Sequence, residues 1–183
     1  MRKLLFFFSA ALATTFAISC GNKTGQNDAE GGDTTATEVT DTTVYGTCGE
    51  ATSMHSLQLI TSNGDTLELA FNLDEDDVVK GGLLEGDKLA VTMDAFDDEN
   101  IATGIINLTT LEGKWSSLDR NFEIVDGGEI ISTVQSEKNP YTAWRILNGQ
   151  LVLSRDTFNI LTLGADTLEL ENDRGIFVYK RLK

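Results

Sequence analysis

Apolar and polar residues alternate with period two along most of the chain from Thr47 onward. That is the period of a β-strand, whose successive side chains point to opposite faces, and not the 3.6-residue period of a helix. Turn-forming residues interrupt the pattern every few positions, as at Asn63-Gly64 and Asn148-Gly149. Asn-Gly between alternating segments is a strong hairpin signal, because a type I′ turn needs positive φ at both central residues. The sequence therefore predicts an all-β protein of short antiparallel strands.

The second half of the chain is predicted to contain eight strands with tight connections. The segments are Leu111–Leu118, Arg120–Val125, Glu129–Val134, Tyr141–Leu147, Gln150–Ser154, Phe158–Leu163, Asp166–Glu171 and Gly175–Arg181. Eight such strands can close into an up-and-down barrel, which leaves no open sheet edge. One face of these strands supplies the predicted core, made of Phe122, Ile124, Trp144, Ile146, Leu151, Leu153, Phe158, Ile160, Leu168, Leu170, Phe177 and Tyr179.

Residues 47–110 are predicted to form a smaller domain, an OB-like or Greek-key sheet of four or five strands. Alternating segments at 57–60 and 66–71 flank the Asn63-Gly64 turn, and further strands are predicted at 88–93 and 101–107. The barrel domain is predicted to follow directly, at 111–183.

The charge of the chain limits its partners. Formal net charge is −15, from 29 acidic and 14 basic residues. Residues 51–110 carry 12 acids and 2 bases, whereas residues 111–183 carry 11 acids and 9 bases. An OB-like sheet that binds single-stranded nucleic acid needs a positive groove with stacking aromatic side chains. The smaller domain has the opposite charge, so we expect no nucleic-acid partner.

A basic and then apolar segment opens the sequence. Met1-Arg2-Lys3 precedes a charge-free run from Leu4 to Ile18, which is shorter than the roughly 20 residues of a transmembrane helix. Such a run is typical of the apolar core of a secretory signal. It ends in Ala17-Ile18-Ser19-Cys20-Gly21, which resembles the lipobox of bacterial lipoproteins, with Ala17 where that family usually has Leu.

The lipobox resemblance implies that residues 1–19 are a signal peptide and that Cys20 is acylated, for example with palmitate, and anchors the chain to a membrane. Two or three acyl chains hold a protein stably at a membrane, whereas one does not. Gly21 replaces the Asp that retains many lipoproteins at the inner membrane, so the resemblance implies the outer membrane, on its periplasmic or its surface face. The alternative is a secreted protein that is cut nearby and keeps Cys20 as a thiol.

Residues 20–46 are predicted to be a disordered tether behind the lipidated cysteine. Gly21–Thr43 contains only three apolar residues among Gly, Thr, Asp, Glu, Asn, Gln and Lys. Such a stretch cannot bury enough apolar surface to offset its conformational entropy.

A Gly-x-Trp sequence, Gly113-Lys114-Trp115, opens the predicted barrel and is similar to the start of lipocalins. Together with the order of the segments at 121–124, 127–132, 141–146, 148–153 and 178–181, it resembles the lipocalin-like domain of Bacteroidetes lipoproteins. This resemblance covers residues 111–183. It implies a calycin-like barrel in the cell envelope, often preceded by a small β domain, in a family largely without assigned activity. Ligand-holding lipocalins are much longer, so only a small interior is expected here.

The same resemblance predicts a contact that reports on barrel closure. In lipocalins, an Arg near the end of the last strand packs over the Trp of the first strand, and Arg181 and Trp115 match those positions. The first and last strands are neighbours only if the sheet closes or nearly closes. We therefore expect Gly113, Trp115 and Arg181 to form the barrel closure, with the guanidinium within about 6 Å of the indole.

The sequence contains no recognisable catalytic or metal-binding constellation. A single histidine, His55, and two cysteines exclude most His/Cys metal sites. The acidic segment 72–77 fails as an EF-hand, because Asp77 stands where the loop needs Gly. We therefore expect no catalytic residue, no metal and no cofactor. Cys48 is either a buried small hydrophobe or a free thiol able to pair between molecules.

Three functional hypotheses remain. The first is a non-enzymatic, membrane-anchored binding or interaction module whose partner is a small apolar ligand, a glycan or an envelope protein. The second is a structural envelope lipoprotein with a filled barrel. The third is a carboxylate-based hydrolase, since the many acids offer many pairs. An apolar void of about 300 Å³ or more inside the barrel would separate the first hypothesis from the second.

Overall fold

The strands of the protein form two sheets joined by one short helix. The computed structural model describes residues 40–72, 78–96, 99–132 and 139–183. The strands are β1 (Val44–Cys48), β2 (Ser56–Thr61), β3 (Thr66–Ala70), β4 (Val79–Lys80), β5 (Lys88–Phe96), β6 (Glu99–Asn107), β7 (Gly113–Ser116), β8 (Asn121–Val125), β9 (Glu129–Ser132), β10 (Trp144–Leu147), β11 (Gln150–Leu153), β12 (Asp156–Leu163), β13 (Thr167–Asn172) and β14 (Gly175–Arg181), and the helix is α1 (Leu108–Leu111). The prediction of an all-β fold is confirmed.

The first sheet has six strands in the order β3-β2-β1-β5-β6-β4. Neighbours from β3 to β6 along this order are antiparallel, and β4 adds to β6 in parallel. β3 also pairs in parallel with β6, through Ala70 and Ile101, which curls the sheet back on itself. β1, β2, β3, β5 and β6 have the predicted OB-like arrangement of a partly open barrel. β4 is a sixth strand, beyond the predicted four or five.

Regular structure begins earlier in the chain than the sequence predicts. β1 starts at Val44, before residue 47, where the first β domain is predicted to begin. Gly46 weakens the strand signal of this segment. The structure uses Gly46 for a close approach, since a Cβ at this position would collide with the backbone of Ile60 in β2.

The two Asn-Gly turns differ in type. Asn148 and Gly149 have φ of 48° and 79°, as the predicted type I′ turn requires, and Leu147 pairs with Gln150 across them. In the β2–β3 hairpin only Gly64 has positive φ, at 88°. The type I′ prediction is wrong there, because a three-residue loop with a single left-handed glycine makes the connection.

The second sheet has eight antiparallel strands in the order β10-β11-β12-β13-β14-β7-β8-β9, which is a sequential meander. All eight predicted strands are present. The sheet nearly closes into a barrel, since Glu129, the first residue of β9, bridges to Ala143, which directly precedes β10. Two backbone hydrogen bonds flank this bridge, from Ile130 N to Thr142 O at 3.1 Å and from Trp144 N to Gly128 O at 2.8 Å.

The interior of the barrel is packed with aromatic and aliphatic side chains. Eleven of the twelve predicted core residues are buried, and Phe177 is partly buried against them. Aromatic edge-to-face contacts link Phe122 to Tyr141 and Tyr179, and Phe158 to Tyr141 and Phe177, with ring centroids 5.1–6.4 Å apart. Such contacts add to the stabilisation from buried area.

The two sheets belong to one compact unit. The six-stranded sheet has its own core around Leu57, Leu69 and Val91, and another part of it packs into the core of the barrel. Ala90 and Ile106 of the first sheet, and Leu108 and Leu111 of α1, are in the same buried cluster as Trp115 of the barrel. The predicted boundary between residues 110 and 111 falls inside α1.

Candidate functional site

The meander gives the barrel two ends with different surroundings. Connections in an antiparallel meander alternate between its ends. The turns β8–β9, β10–β11 and β12–β13 therefore lie at the same end as α1, which we call the base. The turns β7–β8, β11–β12 and β13–β14 lie at the opposite end, which we call the mouth.

The base is held against the six-stranded sheet. Lys88 Nζ lies 2.8 Å from Asp126 Oδ2 in the β8–β9 turn, and this contact lowers the pKa of the Asp126 carboxyl and raises the pKa of Lys88. The Tyr45 hydroxyl donates to the carbonyl of Ile146 at 2.9 Å. Lys80 Nζ donates to the carbonyl of Leu161 at 2.9 Å. The base is therefore an internal contact of the folded unit.

The predicted contact between Trp115 and Arg181 is present at the base. The two residues are paired across β7 and β14, and the guanidinium carbon lies 4.2 Å from the centre of the indole ring. Trp115 is fully buried, and its Nε1 donates to the carbonyl of Leu111 at 2.8 Å. The first and last strands of the meander are therefore neighbours.

Arg181 also satisfies carbonyl groups left open at the end of α1, where the last turn lacks intrahelical partners. Its Nη1 donates to the carbonyl of Glu112 at 2.8 Å, and its Nη2 donates to the carbonyl of Thr110. Burial lowers the pKa of the Arg181 guanidinium, and the charge of Asp166 opposes this shift.

Gly113 is the residue that makes room for this guanidinium. Its φ is 126°, and a Cβ at this position would collide with Arg181 Nη1. The three residues predicted for barrel closure thus lie together, and their bonding is structural in character.

The mouth opens to solvent through a pocket of about 620 Å³. Its lining includes Arg120, Tyr141, Ser154, Arg155, Asp156 and Arg174. Tyr141 is buried and contacts the aromatic rings of the core, so it separates the pocket from the interior.

Two of the arginines at the mouth are held by neighbours. The Arg120 guanidinium carbon lies 4.3 Å from the centre of the Tyr141 ring, and its Nη1 donates to the carbonyl of Asn139 at 3.1 Å. Arg174 Nη2 lies 2.8 Å from Asp156 Oδ1, and this hydrogen bond raises the pKa of Arg174. Burial raises the pKa of Tyr141, while the charges of Arg120 and Arg174 act against that shift.

These three arginines come together because each lies in or beside a turn at the same barrel end. Arg155 belongs to the turn between Leu153 and Asp156, and Arg174 to the turn between β13 and β14. Arg120 precedes β8 directly. The sequence prediction missed this cluster. The sequence contains one signal for this cluster. The three arginines lie in or next to connections of the predicted meander that fall at the same end of the barrel.

The other residues that the sequence analysis singled out lie outside the described ranges or away from the two ends of the barrel. Cys20, the signal peptide and residues 21–39 lie outside the described ranges, as do residues 73–77 and 97–98 of the acidic segments. Cys48 is 2 % exposed, with Sγ 3.3 Å from Thr52 Oγ1, and so it packs as a small buried residue. His55 is exposed.

Two kinds of feature are absent from the described ranges. They contain no group of three or more His, Cys, Asp or Glu residues placed to hold a metal ion. Within the same ranges, no helix has the length and apolar character needed to span a bilayer.

Comparison of this protein with protein-family models, curated proteins and solved structures found no match. The two ends of the barrel differ in the chemistry of their exposed groups. At the base, the polar groups of Arg181, Asp126 and Lys88 bind one another or the backbone. At the mouth, charged groups line a pocket that is open to solvent. The mouth is the candidate functional site.

Proposed function

We propose that this protein is a non-enzymatic cell-envelope lipoprotein that is anchored through Cys20 and uses the mouth of its eight-stranded barrel as a binding site. The proposed binding role rests on one observation, the difference between the two ends of the barrel. The base is closed by Arg181, α1 and the six-stranded sheet, whereas the mouth opens to a pocket of about 620 Å³. Pockets of several hundred Å³ are of the size that holds small molecules.

The packed interior directs this proposal toward a polar ligand. Trp115, Phe158 and Tyr179 are almost fully buried in the barrel core, and Tyr141 covers the core below the pocket. An apolar ligand inside the barrel would have to displace these rings. The charged side chains that line the mouth instead suit a polar ligand, and a glycan is the ligand class proposed here.

The second candidate function is a structural envelope lipoprotein, and the same packed interior favours it. In that case the barrel would serve as a stable support, and its mouth would bind nothing. Binding at the mouth separates the two candidates.

Fractionation of cells tests the anchor. Cys20→Ser should move the protein from the membrane to the soluble fraction, because it removes the thiol that carries the lipid. The matched control is Cys48→Ala, which changes the other cysteine and should leave the protein in the membrane fraction. A Cys20→Ser protein that stays fully membrane-bound would contradict the anchor.

An array of cell-envelope glycans, probed with the full chain in detergent, tests the binding role. Arg155→Glu reverses an exposed charge in the pocket lining, and Arg145→Glu reverses an exposed charge on β10 outside that lining. Signals that Arg155→Glu abolishes and Arg145→Glu preserves would support binding at the mouth. Signals that are equal for both variants, or the absence of any signal, would favour the structural role.

A further inference from the structure

The charge of the mouth pocket differs from that of the protein as a whole. The chain has a formal net charge of −15 and only six arginines. Three of the six line this one pocket, and among the described residues of its lining the carboxylate of Asp156 is the only acidic group. The nearby acids Asp119 and Asp173 line other surface depressions. The pocket is therefore a cationic site on an anionic protein.

The arginines differ in how strongly they are already engaged. Arg120 is held by the Tyr141 ring and the Asn139 carbonyl, and Arg174 is held by Asp156. Arg155 is exposed and makes no hydrogen bond or ion pair with another residue of the described ranges. Arg155 and Arg174 have one carboxylate between them among the described residues of the pocket wall, so this pair of guanidinium groups keeps an excess of positive charge.

Hydroxyl and amide groups lie beside these charges. The side chains of Thr142 and Ser154 are exposed at the pocket wall, with their oxygens 3.4 Å apart, and Asn139 is also part of the wall. Such groups can both donate and accept hydrogen bonds. They suit the hydroxyl groups of a sugar ring, and the pocket is much larger than a bare oxyanion requires.

We propose that the mouth binds an acidic saccharide unit, whose carboxylate or phosphate group is held by Arg155 and Arg174 and whose ring hydroxyls face Thr142 and Ser154. This inference rests on the proposed binding function of the mouth and specifies its ligand class. Guanidinium groups match carboxylate and phosphate oxygens with paired hydrogen bonds, which gives arginine its preference for these groups.

Asp156 has a defined place in this proposal. Its carboxylate is ion-paired with Arg174, and the oxyanion of the ligand would bind the same guanidinium group. Asp156 therefore competes with the ligand. Removing its charge should strengthen binding, which is the opposite of the effect expected for a residue that only supports the fold.

Isothermal titration calorimetry of the full chain in detergent tests the proposal with four probes. Glucuronate supplies a carboxylate on a sugar, glucose 6-phosphate supplies a phosphate on a sugar, glucose is neutral, and inorganic phosphate lacks the ring. We expect one or both acidic sugars to bind, more tightly than glucose or inorganic phosphate. Their affinity should fall as salt is added, because exposed charges are screened. The acidic sugar that binds more tightly identifies the carboxylate or the phosphate as the preferred group.

Three variants locate the binding. Arg155→Gln should weaken binding of the acidic sugar roughly tenfold or more, as expected for losing a hydrogen bond to a charged group. Asp156→Asn should strengthen binding several-fold, by roughly the effect of a surface ion pair. Arg145→Gln, the matched control outside the pocket, should leave binding unchanged. Thermal unfolding of each variant establishes that it is folded.

The outcomes separate this inference from the proposed function. Equal affinity for glucose and the acidic sugars, or an Arg155→Gln affinity equal to that of the wild type, would overturn the acidic-saccharide inference. If no probe binds but the glycan array gives signals that depend on Arg155, the inference is wrong and the binding function stands. If the array gives no such signal either, both are wrong. If inorganic phosphate binds as tightly as glucose 6-phosphate, the sugar ring contributes nothing to binding and the proposal of a saccharide ligand is wrong.

Discussion

The contact between Trp115 and Arg181 should couple the two residues energetically. Arg181 lies over the indole in the last strand of the barrel, and Trp115 is in the first strand, so the pair joins the two ends of the meander. A double-mutant cycle of Trp115→Ala and Arg181→Ala measures this coupling, because it subtracts the contacts that each residue makes separately.

The magnitudes follow from the surroundings of each residue. Trp115 is 0 % exposed, so Trp115→Ala should destabilise the protein by roughly 3–5 kcal/mol. Arg181→Ala removes the cation–π contact, worth about 0.5–2 kcal/mol. It also removes the charged donor to the carbonyls of Thr110 and Glu112, and water can reach part of this site in the variant. We expect a loss of about 1–3 kcal/mol for Arg181→Ala and a coupling above about 0.5 kcal/mol.

Chemical denaturation of the wild type, both single variants and the double variant provides the free energies of unfolding. Arg145→Ala is the matched control, because Arg145 is an exposed arginine on β10, and it should change stability by no more than about 0.5 kcal/mol. If the effects of Trp115→Ala and Arg181→Ala are additive, the stacking geometry contributes nothing to closure.

Three further predictions test other contacts of the base. Gly113→Ala should lower the free energy of unfolding by more than Gly127→Ala. Both glycines have positive φ, but only at Gly113 would a Cβ collide with another residue, at Arg181 Nη1. Equal losses in the free energy of unfolding, measured by denaturation, would show that the collision is relieved at no cost. Asn148→Gly keeps a residue that tolerates positive φ but removes the side-chain oxygen that accepts from the Thr42 amide. Hydrogen exchange at the Thr42 amide should therefore become faster, while β10 and β11 keep their protection. Unchanged exchange at Thr42 would rule out this role of the Asn148 side chain. Lys88 holds the pKa of Asp126 below its ordinary value of 3.8, so the contribution of this carboxylate to stability is present above that value and is lost as pH falls through the lowered pKa. The free energy of unfolding of Asp126→Asn, measured by denaturation, should be lower than that of the wild type at about pH 7, and this difference should shrink as the pH is lowered to about 2. A difference that does not change with pH would contradict the ion pair.

The strands of the barrel could be predicted because each strand and each turn is marked by residues that are close together in the sequence. Each of its strands alternates within a few residues, and each connection carries a turn signal such as Asn148-Gly149. The side chains on one face of these strands became the buried core. The contact of Arg181 with Trp115 could be predicted from the family resemblance, since it depends on matching positions in two strands.

Other features depend on contacts between distant parts of the chain and could not be predicted in the same way. β1 lacks a strong strand pattern, and it is stabilised by pairing with β2 and β5 on its two sides. α1 has only four residues, too few for a helical period, and its end is satisfied by Arg181, 70 residues or so farther along the chain. The arginines of the mouth carry no motif, because their proximity arises from the order of the strands.

The residues that precede β1 are held by side-chain and backbone hydrogen bonds at the base of the barrel. Asn148 lies in the β10–β11 turn at the base, where its Oδ1 accepts from Thr42 N at 2.8 Å and its Nδ2 donates to the carbonyl of Thr40 at 2.9 Å. The segment that leads to β1 is therefore fixed at the base. The chain is held at the base from Thr40, four residues before β1 begins, so the contacts of the folded unit extend beyond its first strand.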